Sequence, residues 1–334
     1  MMIDVKQIEM VSQVETIDFD KYLIDLSTEI KEPPPLICLR DAPVFTRGNL
    51  SVVTGKAKSR KTFLIGLFAA RFLEDGDNTS ILYIDSEQGK FHVQKSVKRI
   101  HRLLQWDDTI NDDRLKCFGL RELGCNERLK FLEAAIQRFT PDLVFIDGIR
   151  DLIQDFNNMV DSSELVNKLM KLSSVNNCHI CSVLHQNKGD NNARGHLGTE
   201  LINKSESVIS VAADGDTSSV SPEYCRNIPF EKFWFTINSE GLPEYCDPVL
   251  KPKADDKLKQ LFSELLPINE SLTYSDLRNQ IMEKCNIKTR RGAEKKIEKG
   301  VADSIIFKNT EEKYFCIPYN NIINNDDNST ELPF

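Results

Sequence analysis

The sequence has no run approaching the ~18 consecutive apolar residues of a membrane-spanning helix, so no membrane segment is expected. Its first residues, MMIDVKQIEMVSQVETIDFD, lack a basic stretch followed by an apolar core, so no secretory signal peptide is expected either. Excess positive charge is missing too. With 43 Lys and Arg against 51 Asp and Glu, the formal net charge is −8. That excludes a chain that coats a polyanion with its whole surface; contact with nucleic acid needs a local basic face. The cysteines lack the even count of a disulfide framework. There are nine, scattered along the chain, which fits reduced thiols in a cytoplasmic protein. A single C-x-x-C occurs, Cys178-His179-Ile180-Cys181, without a second pair and inside an apolar strand pattern, so it reads as core. No internal repeat is found.

What is present is a globular composition, 40% hydrophobic and 28% charged over 334 residues, with a length that favours about two domains. Residues 1–32 are polar and weakly patterned, and are expected as an arm or as a short helix near 18–26. Glu32-Pro33-Pro34-Pro35 punctuates the chain, since prolines block helix and ladder hydrogen bonds. Strand and helix patterns then alternate to about residue 250. Strands are expected at 36–39, 42–45, 50–53, 81–84, 115–118, 143–146, 179–184 and 206–212. Helices are expected at 63–72, 91–106, 126–139 with Asn126 as N-cap, and 161–175 with Asp161 and Glu164 as a capping box. A hairpin at 233–237 and 243–246 closes the series. This is the pattern of an α/β domain over 33–250 with a mostly parallel sheet. After a break at 248–252, helices at 255–266, 275–285 and 289–299 and a hairpin at 305–308 and 313–317 follow the plan of a winged helix-turn-helix over 253–318, a small α+β domain. The Asn- and Asp-rich stretch 319–334 reads as a disordered tail.

Chemistry-bearing residues gather at the ends of the predicted strands. LSVVTGKAKSRKT, residues 50–62, places a β-branched strand, a loop and a helix in the order in which a G-x-x-x-x-G-K-[ST] loop cradles phosphates. Gly55, Lys56, Ala57, Lys58, Ser59, Arg60, Lys61, Thr62 and Phe63 are the binding candidates. Lys61 would reach the outer phosphates and Thr62 would ligate Mg²⁺. Arg60 stands where the motif has its second Gly, and an ordinary basic turn is the plainer reading of this stretch alone. Asp147 ends the apolar strand in PDLVFIDG and suits a metal-holding carboxylate. Glu87, after strand 81–84, suits the group that orients or deprotonates an attacking water, with Asp85 as the alternative. Gln186 or His185, ending strand 179–184, suits a phosphate sensor. In the Gly- and Asn-rich segment that follows, read as a mobile loop, Arg194 and Lys204 are candidate cationic fingers or plain surface charges.

Taken together, TGKAKSRKT, ILYIDSEQ, LVFIDG and VLHQNKGDNNARGHLGTELINKSE resemble the RecA-like P-loop ATPases, closest in look to the RepA-type hexameric helicase branch near DnaB, found on plasmids and mobile elements. The resemblance spans roughly 33–250. It implies a three-layer RecA-like core, ATP and Mg²⁺ as ligands, a hexameric ring with nucleotide sites between subunits, and the roles above for Lys61, Thr62, Asp147, Glu87 and Gln186. It also offers Lys188, Asn191 and Arg194 as DNA contacts in the ring's centre. Arg60 departs from the pattern and puts fast hydrolysis in question more than binding.

Residues 251–313 carry 14 Lys and Arg against 11 Asp and Glu, and residues 288–299 carry 6 against 2. Lys288, Arg290, Arg291, Lys295, Lys296 and Lys299 therefore concentrate basic charge on the third helix, the one that enters the major groove in a helix-turn-helix. A solvated face or a protein contact is the alternative. The leading expectation is an oligomeric, DNA-associated ATPase, with a replicative helicase of a mobile element as its most specific form. A DNA-binding regulator or adaptor that binds ATP and barely hydrolyses it is the second, and a recombination or loader ATPase without unwinding activity the third.

Overall fold

The structure is a computed structural model and describes residues 18–74, 76, 79–187, 195–247, 254–267 and 270–316. An antiparallel pair, β1 (Pro35–Leu39) and β2 (Ala42–Thr46), leads into the core. There β3 (Leu50–Gly55), α1 (Lys61–Glu74), β4 (Ile81–Asp85), α2 (Lys90–Leu103), β5 (Leu115–Gly119), α3 (Cys125–Phe139), β6 (Leu143–Asp147), α4 (Met159–Val175), β7 (His179–His185), α5 (Gly195–Lys204) and β8 (Ser207–Asp214) alternate. Next come β9 (Thr217–Cys225), β10 (Phe233–Ile237) and β11 (Pro243–Tyr245). The sheet has nine strands in the order β11-β10-β9-β8-β3-β7-β6-β4-β5. Its six strands from β8 to β5 are parallel, and β9, β10 and β11 extend it antiparallel.

The apolar strands are explained by cover on both faces. Successive side chains on a strand point to opposite sides. Val53, Tyr83 and Phe145 accordingly pack with Leu64, Phe68 and Ile100 of α1 and α2. Val52, Leu82, Ile84, Val144 and Ile146 pack with Leu132, Leu165 and Leu197 of α3, α4 and α5. Each such side chain favours the folded state by about 1.5–3 kcal/mol, which is why no polar residue interrupts Leu143-Val144-Phe145-Ile146. The result is the three-layer α/β core with a mostly parallel sheet.

Parallel pairing brings the strand ends to one edge, where such sheets place their ligands. Gly55 of β3 pairs with His185 of β7, and Asp85 of β4 with Asp147 of β6.

Several local expectations are corrected. The 18–26 segment, expected as an arm or a short helix, holds one 3-10 turn, Asp20–Tyr22. Gly124, not Asn126, occupies the N-cap of α3, and Glu127 Oε2 accepts from its N–H. Asn158 caps α4 by accepting from the N–H groups of Val160 and Asp161, which places Asp161 inside the first turn and removes the expected capping box. Gly195 and Gly198, read as loop, belong to α5. β9 was not expected at all. The segments 1–17, 188–194 and 317–334 lie outside the described residues. None of the nine cysteines is in a disulfide. Cys178 and Cys181 are fully buried, and burial pushes their thiols up to about 11 and about 12, as core residues. No helix among the described residues is long and apolar enough to cross a membrane.

Beyond residue 253, α6 (Ala254–Leu265), α7 (Tyr274–Lys284), α8 (Arg290–Ala302) and the hairpin of β12 (Ile306–Lys308) and β13 (Tyr314–Cys316) enclose their own core of Phe262, Leu277, Ile281, Ala293, Ile297 and Ile306. Gly300 lets α8 meet Phe262, whose ring would lie 2.4 Å from a Cβ at that position.

Candidate functional site

β3 ends on a glycine for a steric reason. A Cβ at Gly55 would lie 2.4 Å from the Val211 carbonyl oxygen and 2.5 Å from Ser59 Oγ. The chain then turns through 56–60 and enters α1 at Lys61, where the first N–H groups of the helix have no intrahelical acceptor and its dipole favours an anion. Lys61 is buried. Its Nζ donates to the carbonyls of Gly55 at 2.9 Å and Lys56 at 3.0 Å, and stands 3.2 Å from His185 Nδ1. Burial pushes the ammonium down to about 8, partly opposed by Asp147 and Glu87. Ser59 Oγ, also buried, has no hydrogen-bond partner among the described residues.

Asp147 lies opposite the start of α1. Its Oδ2 accepts from Thr62 Oγ1 at 2.8 Å and from Tyr83 OH at 3.2 Å. Burial, reinforced by the neighbouring Asp85, pushes its carboxyl up to about 6. The folded state thus holds this proton more tightly than an unfolded chain with the ordinary value of 3.8. Stability from this group is complete below 3.8 and is lost as pH rises through 6. Asp147→Asn is therefore expected to raise the melting temperature of the ligand-free protein at pH 8, by the equivalent of about 1–3 kcal/mol. The gain should shrink as pH falls through 6 toward 4. Thermal scans at the two ends decide it, and an equal gain at both would remove the buried charge as its cause.

Asp85 fastens the turn after β4. Its carboxylate accepts from the N–H groups of Glu87 and Gln88 and from Gln88 Nε2. Glu87 instead faces the cavity. Its carboxylate lies 3.5 Å from His185 Nε2, and that contact outweighs partial burial in holding it below its usual range. Gly148, with φ of +104°, leaves room for it: a Cβ there would meet Ser86 Oγ at 2.3 Å and Glu87 Cγ at 2.8 Å.

Lys61, Thr62, Glu87, Asp147 and His185 share one cavity of about 430 Å³, with Lys58, Ser59, Arg60 and Phe63 along the loop side. The opposite wall is α2, which supplies His92, Lys95, Ser96 and Arg99. This wall was missed in the sequence, although the signal is plain: KFHVQKSVKRIHRL has five Lys and Arg and no acidic residue. Arg99 is engaged, stacked 3.7 Å over the Phe63 ring and donating to the Gly241 carbonyl.

Other candidates fall elsewhere. Gln186 is turned away from the cavity, its Nε2 3.4 Å from Thr54 Oγ1, and His185 takes the cavity side. Lys204 ends α5 just before β8, at the sheet edge opposite Gly55. Lys188, Asn191 and Arg194 lie outside the described residues. Lys56 and Ala57 are exposed, and Lys56 meets Lys61 through its carbonyl.

Arg60 takes a left-handed backbone, φ +70°, which costs a non-glycine residue about 1–2 kcal/mol. Its guanidinium leaves the loop for the β8–β9 hairpin, where Nη1 donates to Thr217 O at 2.9 Å and Ser218 Oγ at 3.0 Å, and Nη2 to Gly215 O at 3.0 Å.

On α8, Arg291, Lys295 and Lys299 are exposed four residues apart and so share one face. Lys288, expected on this helix, lies ahead of its N-cap Thr289, and Arg290 opens the helix one residue before that row, so neither continues it. Lys296 is half-buried and turns with Lys295 and Lys299 toward a groove of about 640 Å³ that also holds Lys257 of α6.

No protein-family model matches the sequence, and no curated protein matches it. Among solved structures, a crystal structure of the RadB recombinase superimposes with a TM-score of 0.46 at 14% sequence identity, over 61% of this chain and 93% of that one.

Proposed function

We propose that this protein is a DNA-associated, Mg²⁺-dependent ATPase whose nucleotide lies in the cavity between the 55–63 loop and α2. One observation carries the reading. The Thr62 hydroxyl and the Asp147 carboxylate are already paired at 2.8 Å, beside a buried Lys61 whose Nζ meets only two carbonyls and an imidazole among the described residues. A buried cation with neutral partners fits an incoming phosphate, and the unpartnered Ser59 hydroxyl is a further polar group that the chain leaves unsatisfied at the loop. Thr62 and Asp147 would hold Mg²⁺. No group of three or more His, Cys, Asp or Glu among the described residues could hold a metal alone, as suits a cation that takes its remaining ligands from phosphate and water. When bound, it would neutralise charge on the outer phosphates. Glu87, kept ionised by His185, accepts the proton of an attacking water.

The direct test is ATP turnover with and without single- and double-stranded DNA. DNA-stimulated turnover supports the motor, and tight ATP binding with negligible turnover supports the regulator or adaptor. The strained backbone of Arg60 is the observation that favours the second. Absence of nucleotide binding would sink both. The narrower reading, a hexameric replicative helicase of a mobile element, further requires a six-subunit ring and unwinding of a forked duplex.

The tail is read as a winged helix-turn-helix that binds duplex DNA through α8. Arg291→Ala with Lys295→Ala is expected to weaken binding of any duplex and to lower the slope of log affinity against log salt by about 2, since each phosphate contact contributes about 0.9. A salt titration by fluorescence anisotropy checks this. An unchanged slope would move the DNA site away from α8.

A further inference from the structure

The second glycine of a phosphate loop leaves the backbone free to turn. Here Arg60 occupies that position with φ +70° and is tied by three hydrogen bonds to another element. We infer that Arg60 is a positioning residue that clips the phosphate loop to the β8–β9 turn, so that nucleotide affinity depends on where that turn sits. This rests on the nucleotide reading above and concerns the control of the same site.

Three further contacts support it. Ser218 of β9, fully buried, accepts from Arg60 and donates through the same Oγ to the Ser59 carbonyl at 3.3 Å, so two successive loop residues are held by one side chain. The Val211 carbonyl of β8 closes on Gly55, where no Cβ fits. Thr54, just before the loop, donates to Glu223 of β9 at 3.1 Å. The hairpin therefore grips the loop at both ends. Its turn is solvent-exposed from Asp214 to Asp216, which leaves it accessible to whatever displaces it. A glycine at position 60 would relieve the left-handed strain but remove three of the hydrogen bonds that hold the loop to the hairpin.

The test uses the full chain, Mg²⁺ and a fluorescent ATP analogue. Arg60→Gly is expected to fold, because glycine accepts this backbone, and to bind the analogue about tenfold more weakly. Ser218→Ala should weaken it about threefold, and the double variant should lose less than the two losses combined, because the Arg60–Ser218 bond is common to both while the Ser218–Ser59 bond is not. Hydrogen exchange adds a readout that a purely structural role would not move. Nucleotide should protect the amides of residues 214–218 in wild type and not in Arg60→Gly. Binding equal to or tighter than wild type in Arg60→Gly, additive effects, or turn amides indifferent to nucleotide would overturn the clip while leaving the site intact. Failure of wild type itself to bind the analogue would overturn the nucleotide reading, and the clip with it.

Discussion

Lys61→Ala is expected to lower nucleotide affinity at least about a hundredfold, a loss of roughly 3 kcal/mol, while leaving the apo fold as stable as before or more so. The two halves of this expectation have one cause. The Lys61 ammonium is buried, and burial pushes it down to about 8, so its charge costs the empty protein free energy. Its carbonyl partners Gly55 and Lys56 and the His185 ring do not neutralise it. A phosphate does, and beside so buried an ammonium each charge-assisted contact is worth more than in water. Alanine removes the cost and the gain together. Calorimetric titration with ATP and thermal unfolding of the apo form measure the two separately. A variant that binds ATP as well as wild type would mean that the cavity is not a phosphate site.

Glu87→Gln is expected to leave ATP binding within a few-fold of wild type and to lower turnover about 10²–10³-fold, within the range for loss of a general base. Glutamine keeps the size of the side chain and an oxygen that can accept from His185 Nε2, so the contact across the cavity survives. What disappears is an acceptor basic enough to take a proton from water. Asp85 cannot stand in, because its oxygens are committed to the turn holding Glu87 and Gln88. Single-turnover measurements separate the chemical step from product release. Unchanged turnover would leave Glu87 as no more than a partner for His185.

Much of the molecule is legible in its sequence. β4 and β6 are covered on both faces, and they run apolar from Ile81 to Ile84 and from Leu143 to Ile146. The carboxylates that follow them are conspicuous because they interrupt that pattern. In the tail, Leu277 and Ile281, and Ala293 and Ile297, recur at helical spacing and mark the buried sides of α7 and α8. β9 escaped notice because its inward positions include a polar one, Ser218, so TSSVSPEYC shows no apolar alternation. α5 escaped because it opens on a glycine. Gly195 is required by the crowding of Phe156, whose ring would lie 2.6 Å from a Cβ, and by φ of +75°, neither of which is a local property. Gln186 and His185 could not be separated because neighbouring residues at a strand end face opposite ways, and only the register of β7 with β3 shows which one meets the cavity. The basic wall of α2 was there to be counted, but without the fold nothing said that it faces the loop.

The position of β3 also dictates when the site can exist. Its two neighbours in the sheet are β7, where Ile180 pairs with Leu50, and β8, where Ser207 pairs with Ser51. Both are made long after β3 leaves the ribosome, and closing such distant pairings is slow. A nascent chain ending before His179 holds the whole LSVVTGKAKSRKT segment with both edges of its strand unpaired. On the proposed reading, synthesis runs through the β8–β9 hairpin before the phosphate loop is held in place, so a bound nucleotide would stabilise the finished domain and play no part in starting it.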